Sequence, residues 1–196
     1  MWDKEALIAF EEEIAELFKA QQIHAPVHLS RGNEDQLIKI FKRVQPSDWV
    51  FSTWRSHYHA LLKGIPVEWI KKEILAGRSM YLINREHHFF ASSIMGGILP
   101  IALGVAKAIA MDGTKEKVWV FVGDMAARSG VYHEVYDYAS GHQLPMHFVI
   151  EDNGLSTETP TSLVWGGKTY DARPVLPYTY VREVPHVGIG EWVTFG

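Results

Sequence analysis

Lys117-Val118-Trp119-Val120-Phe121-Val122-Gly123-Asp124 and, further on, Met146-His147-Phe148-Val149-Ile150-Glu151-Asp152-Asn153-Gly154 decide how this chain folds. Each is a continuous apolar run that ends in oxygen-bearing side chains. An unbroken apolar run of that length reads as a strand buried on both faces, as in a parallel sheet. Between them, residues 131 to 140 read as a helix, so the unit is strand, helix, strand with the length of a right-handed parallel crossover. In open parallel sheets ligands gather at the carboxyl ends of the strands. Asp124 and Asn153, 29 positions apart, therefore fall on one sheet edge. A carboxylate, an amide oxygen and a backbone carbonyl there would suit a hard cation such as Mg2+. Taken alone, Gly123-Asp124 is a weak signal, because Gly-Asp after a strand is more often a plain turn.

Working outward, residues 4 to 22 carry apolar side chains at Leu7, Ile8, Ile14, Leu17 and Phe18 among acids and lysines, the pattern of an amphipathic helix. Asn33 suits an N-cap for a helix over 34–44 that Pro46 would stop. Trp49 to Thr53 reads as a short buried strand that delivers Trp54-Arg55-Ser56-His57 to its end. Helices over 57–63 and 67–75 are closed by Gly64 and Gly77, and a glycine-containing helix covers about 97–111. Beyond Thr157 the prolines and glycines leave little room for long helices, and the stretch from Tyr178 is aromatic and β-like. The expected fold is α/β, a central mainly parallel sheet flanked by helices. One domain over residues 1–167 is followed by a tail, 168–196, that packs on it or on a partner.

Composition narrows the function. The 196 residues suffice for one medium core. A net charge of −4 gives no reason to expect nucleic acid, which is held by clustered cations. The absence of cysteine removes disulfides, thiolate metal sites and thiol nucleophiles. Glu11, Glu12, Glu13 and Glu16 interrupt the N-terminal segment, so it lacks the apolar core of a signal peptide, and Pro100 and Lys107 break the longest apolar stretch. A cytoplasmic protein with no membrane span is expected.

Gly123-Asp124-Met125-Ala126, Gly130, Glu134, Ala139, Leu144-Pro145, Phe148-Val149 and Glu151-Asp152-Asn153 together resemble the alpha subunit of the first, decarboxylating component of 2-oxo acid dehydrogenase complexes. The resemblance covers roughly residues 35 to 160. It implies a thiamine-diphosphate-binding fold in which Asp124, Asn153 and the backbone carbonyl of Leu155 bind Mg2+, and Gly123, Asp124, Met125 and Ala126 meet the cofactor's diphosphate. Met125 departs from the family pattern, which has glycine there, a residue that lets backbone approach a phosphate closely.

Upstream, Trp54-Arg55-Ser56-His57 resembles the family's aromatic-Arg-x-His segment. It implies that Arg55 reaches the diphosphate, which a guanidinium fork suits, and that His57 lines the active-site entrance. The alternatives are a surface ion pair for Arg55 and a helix-start role for His57. Ser92 to Ala102 resembles the segment leading into the helix beneath the cofactor. There Ser93 and Met95 would bond the aminopyrimidine through their backbones, with the Met95 side chain wedged between the two rings; ordinary core packing is the alternative for Met95. His88, with His87, is a candidate for substrate contact, against a solvent-exposed loop. His57 and His88 are thus the catalytic candidates.

Thiamine chemistry needs a glutamate at N1′ of the aminopyrimidine, and no motif here supplies it. In the family it comes from a separate beta-type subunit, implying an alpha2beta2 assembly in which this chain is inactive alone and the substrate is a small 2-oxo acid. The family's usual continuation after residue 160 is missing, which keeps open a split transketolase-like ketol transfer, although Ala126 stands where transketolases carry an acid. A non-catalytic partner-stabilising subunit is the third reading.

Overall fold

The computed structural model describes residues 2–166 and 175–194. Its centre is a six-stranded sheet in the order β2-β3-β1-β4-β5-β8, from β1 (Trp49–Ser52), β2 (Ile83–Asn84), β3 (Phe89–Ala91), β4 (Val118–Gly123), β5 (Met146–Asp152) and β8 (Leu176–Thr179). Every pairing is parallel except β2 against β3. A separate hairpin, β6 (Leu155–Ser156) with β7 (Thr159–Pro160), follows β5 directly.

The apolar runs are buried on both faces, as their unbroken character requires. Trp119 and Phe121 of β4 point into one core, shared with α1 (Lys4–Lys19), α2 (Glu34–Phe41), α3 (His57–Leu62) and α4 (Val67–Leu75). Val118, Val120 and Val122 point into the other, under α5 (Ile98–Asp112) and α6 (Gly130–Gly141). Burying a side chain of this size stabilises by about 1.5–3 kcal/mol. The mainly parallel sheet flanked by helices is the architecture expected.

Local signals set the element ends. The carboxylate of Asp3 accepts the Ala6 N–H at 2.9 Å and starts α1. Gly64 (φ +89°) and Gly77 (φ +78°) take the left-handed conformation just past α3 and α4, where an L side chain would be strained. Asn33 stands at the N-cap of α2, but its side chain makes no cap bond. It turns to the sheet instead, donating to the Tyr178 hydroxyl at 3.1 Å. The short strands β2 and β3 were not expected. Runs of two and three residues are too few to show a period, and only pairing, β3 with β1 and β2 with β3, reveals them.

Residues 168–174 of the expected tail lie outside the described residues. From Val175 the chain re-enters, adds β8 alongside β5, then runs back over residues 27–31.

Candidate functional site

The carboxyl ends of β1, β4, β5 and β8 surround a cleft of about 610 Å³, partly open to solvent. Eight expected site residues line it: Arg55, Met95, Gly123, Asp124, Met125, Ala126, Asn153 and Leu155. They come from chain segments as far apart as a hundred residues, joined only by strand order.

Asp124 follows β4 and is 2% exposed. Burial pushes its carboxyl above the usual aspartate range, a short bond from the Thr161 hydroxyl to Oδ2 pulls it back, and the charge of Asp152 pushes it up again. Asn153 follows β5; its Oδ1 accepts the Leu155 N–H at 2.9 Å while its Nδ2 donates to the Tyr180 hydroxyl at 3.1 Å. Among the described residues there is no group of three or more His, Cys, Asp or Glu placed to hold a metal. A cation here would therefore rest on one carboxylate plus amide and carbonyl oxygens, the donor set of a hard ion such as Mg2+.

Arg55 is the cationic counterpart. It donates to the carbonyls of Leu29 and, at 3.0 Å, of His186. Among the described residues no carboxylate pairs with it, which removes the surface ion-pair alternative, and burial lowers its pKa. One cleft thus holds a buried carboxylate with no cation and a half-buried guanidinium with no anion. A charge without a partner is costly in proportion to its burial, so the pair favours a ligand that is a cation at one end and an anion at the other.

Met125 has φ −66° and ψ −43°, right-handed backbone that any residue adopts. Glycine is not required there for conformation. The Met125 sulfur lies 2.9 Å from the indole nitrogen of Trp165, its side chain drawn towards α7 (Thr161–Trp165). Met95 is 46% exposed and faces the cleft, so it is not core packing. Ser93 is exposed and is not among the lining residues.

The two catalytic candidates are placed elsewhere. His57 is fully buried; its Nδ1 lies 3.0 Å from a Glu11 carboxylate oxygen and its Nε2 2.9 Å from the Ser79 hydroxyl. The other Glu11 oxygen accepts the Ser30 N–H at 2.9 Å. Enclosed on every side, His57 ties α1, α3 and residues 79–81 together and cannot reach a substrate in the cleft. His88 precedes β3 and so sits at the amino edge of the sheet, opposite the cleft. Its ring stacks on Trp49 with centroids 4.7 Å apart and its Nδ1 meets the Ser47 carbonyl at 2.9 Å. Neither histidine is among the residues that line the cleft.

Other lining residues were not among the expected site residues. Tyr180, Arg182 and His186 form one wall, and Asn33, Trp54 and Glu151 part of another. Glu151 is already engaged, accepting from Tyr178 and Asn33 with His59 at 3.3 Å.

Residues 3–175 match the family described as dehydrogenase E1 component. The chain belongs to the dehydrogenase E1 component family. Within it, the chain is 30% identical over 161 residues to the alpha subunit of acetoin:2,6-dichlorophenolindophenol oxidoreductase of Bacillus subtilis, covering 77% of this chain and 48% of that protein. It is 28% identical to the pyruvate dehydrogenase E1 component subunit alpha of Rickettsia typhi, covering 78% and 50%. The chloroplastic subunit alpha-3 of Arabidopsis thaliana is 27% identical over 74% of this chain and 38% of that one. This E1 component chain thus spans about half the length of these relatives. No helix among its described residues is long and apolar enough to cross a membrane.

Proposed function

We propose that this chain is the cofactor-anchoring alpha subunit of a thiamine-diphosphate-dependent 2-oxo acid dehydrogenase. The observation that carries the reading is the opposed pair of charges without ionic partners, buried Asp124 and half-buried Arg55, in one cleft. A divalent cation bound to a diphosphate would neutralise both. Asp124, Asn153 Oδ1 and the Leu155 carbonyl would hold Mg2+; Arg55 and the backbone N–H groups at Gly123 to Ala126 would take the diphosphate, and Met95 would support the rings.

Bound there, thiamine diphosphate would supply the carbanion chemistry that a 2-oxo acid needs for decarboxylation. This chain's part is to bind and orient, excluding water with Met95, Met125 and Ala126. The cofactor-activating glutamate is assigned to a beta-type partner, because Glu151, the glutamate in the cleft lining, is taken up by Tyr178, Asn33 and His59. An alpha2beta2 assembly is compatible with that division.

Calorimetry with thiamine diphosphate and Mg2+ on the mixed alpha and beta chains tests the reading. Binding that Asp124→Ala abolishes is expected; equal heats from wild type and variant would overturn it. A panel of 2-oxo acids and ketose phosphates on the reconstituted pair should give turnover with the oxo acids, and turnover confined to ketose phosphates would point to ketol transfer instead.

A further inference from the structure

The segment after β8 touches both halves of the cleft. On the anion side the His186 carbonyl takes a bond from Arg55 at 3.0 Å, and Gly188 N–H donates to the Val27 carbonyl at 2.8 Å. On the cation side Tyr180 N–H donates to the Asp152 carbonyl at 2.9 Å, and Arg182 grips the β6–β7 hairpin through the Thr157 carbonyl at 2.9 Å and Glu158 at 2.8 Å. The Tyr180 hydroxyl lies within 3.1 Å of Asn153 Nδ2.

An amide side chain has two ends of nearly equal size and opposite character. Only its oxygen can ligate a hard cation; its nitrogen would repel one. An asparagine acting as a ligand therefore needs its rotation about the last side-chain bond fixed. Groups beyond the ligand shell commonly do this, and their loss costs 10–100-fold in metal affinity. Here the Leu155 N–H holds Oδ1, leaving that oxygen one further lone pair, and the Tyr180 hydroxyl holds Nδ2. Tyr180 is half-buried in the cleft wall, with its hydroxyl on Asn153.

We propose that Tyr180 is a positioning residue for the metal subsite: its hydroxyl fixes the amide of Asn153 so that the oxygen, not the nitrogen, is offered to a divalent cation. This rests on the cofactor reading above. It assigns to the C-terminal segment a part in the site that neither the family match, which ends at residue 175, nor the motif suggests.

The test reads Mn2+ affinity, as a paramagnetic stand-in for Mg2+, by electron paramagnetic resonance in the presence of thiamine diphosphate, on the chain alone and with its beta-type partner. Tyr180→Phe should weaken Mn2+ about tenfold or more, with an unchanged circular dichroism spectrum and thermal midpoint. In an Asn153→Asp background, where both ends of the side chain are oxygen, the same Tyr180→Phe change should cost nothing. Unaltered Mn2+ affinity in Tyr180→Phe, or an equal loss in both backgrounds, overturns the proposal. Wild-type protein that binds no Mn2+ with thiamine diphosphate in either setting overturns the cofactor reading beneath it.

Discussion

The Thr161 hydroxyl donates to Asp124 across 37 residues of sequence, joining the end of β4 to the start of α7. The bond opposes the effect of burial on the carboxyl. Thr161→Val removes the donor and leaves the cavity shape nearly unchanged. The Asp124 pKa should then rise further and the apparent affinity for divalent cations fall several-fold near pH 6, with a smaller loss near pH 8. A calorimetric titration at the two pH values measures both, and a pH-independent loss would contradict the assignment.

Asp124 is also a liability to the ligand-free fold. Its folded pKa lies above its unfolded value, so the folded state binds the extra proton. Stability from this group is full below pH 3.8 and is lost as pH rises through the folded value. Asp124→Asn should therefore leave the ligand-free protein as stable as wild type or more so at pH 7, while removing the rise in melting temperature expected of the wild type with Mg2+ and thiamine diphosphate. Thermal melts with and without the cofactor pair check this.

For Arg55 the guanidinium fork is the relevant property. Arg55→Lys keeps a charge but not two parallel donors. The diphosphate affinity should fall about 10- to 100-fold, as loss of one or two charge-assisted hydrogen bonds would produce. Equilibrium dialysis of thiamine diphosphate against both proteins would show it.

Glu11 and His57 make a different prediction from a catalytic pair. Glu11→Ala strips acceptors from the buried Ser30 N–H and from His57, each worth about 1–3 kcal/mol. Denaturant unfolding should show a loss of about 2–5 kcal/mol, whereas turnover per folded molecule should change little. His88→Ala, at the far sheet edge, should alter neither cofactor binding nor turnover.

Acid should loosen the cleft wall. His28 is buried with its Nδ1 unpartnered, its ring against those of His186 and Trp54 at 4.9 and 5.7 Å. Burial first, and then the charge of Arg55, bring its pKa down from 6.5 to about 3. A depressed value means the unfolded chain takes the proton first, so stability is present above pH 6.5 and drains away as pH falls towards 3. His28→Phe should flatten that part of the stability profile in melts between pH 4 and 7.

What could be read from the chain was local. The runs into Asp124 and Asn153 carry their own strand signal, and both residues then fall at strand ends by the geometry of parallel sheets. Arg55 and Met95 were reached through resemblance and do line the cleft. His57 misled because its setting depends on Glu11, 46 residues earlier, and on Ser79; no local pattern shows that a histidine beside an arginine will be sealed inside. His88 misled because β3 was invisible, so the edge on which the histidine falls could not be told. Tyr180 and Arg182 gave no signal at all, since an aromatic and a cation after a proline-rich stretch describe countless surfaces until β8 finds its place beside β5.

The bonds from Gly188 to Val27 and from Glu183 to Arg31 span more than 150 residues each. Joining such distant points must await closure of a loop almost as long as the chain, and contacts of that kind form late and slowly. During synthesis, the strands and the Asp124 turn can settle while the wall of the cleft is still inside the ribosome. Competence to take a charged ligand would then appear only when the last segment docks, so that ligand capture reports on completed folding of the whole described chain.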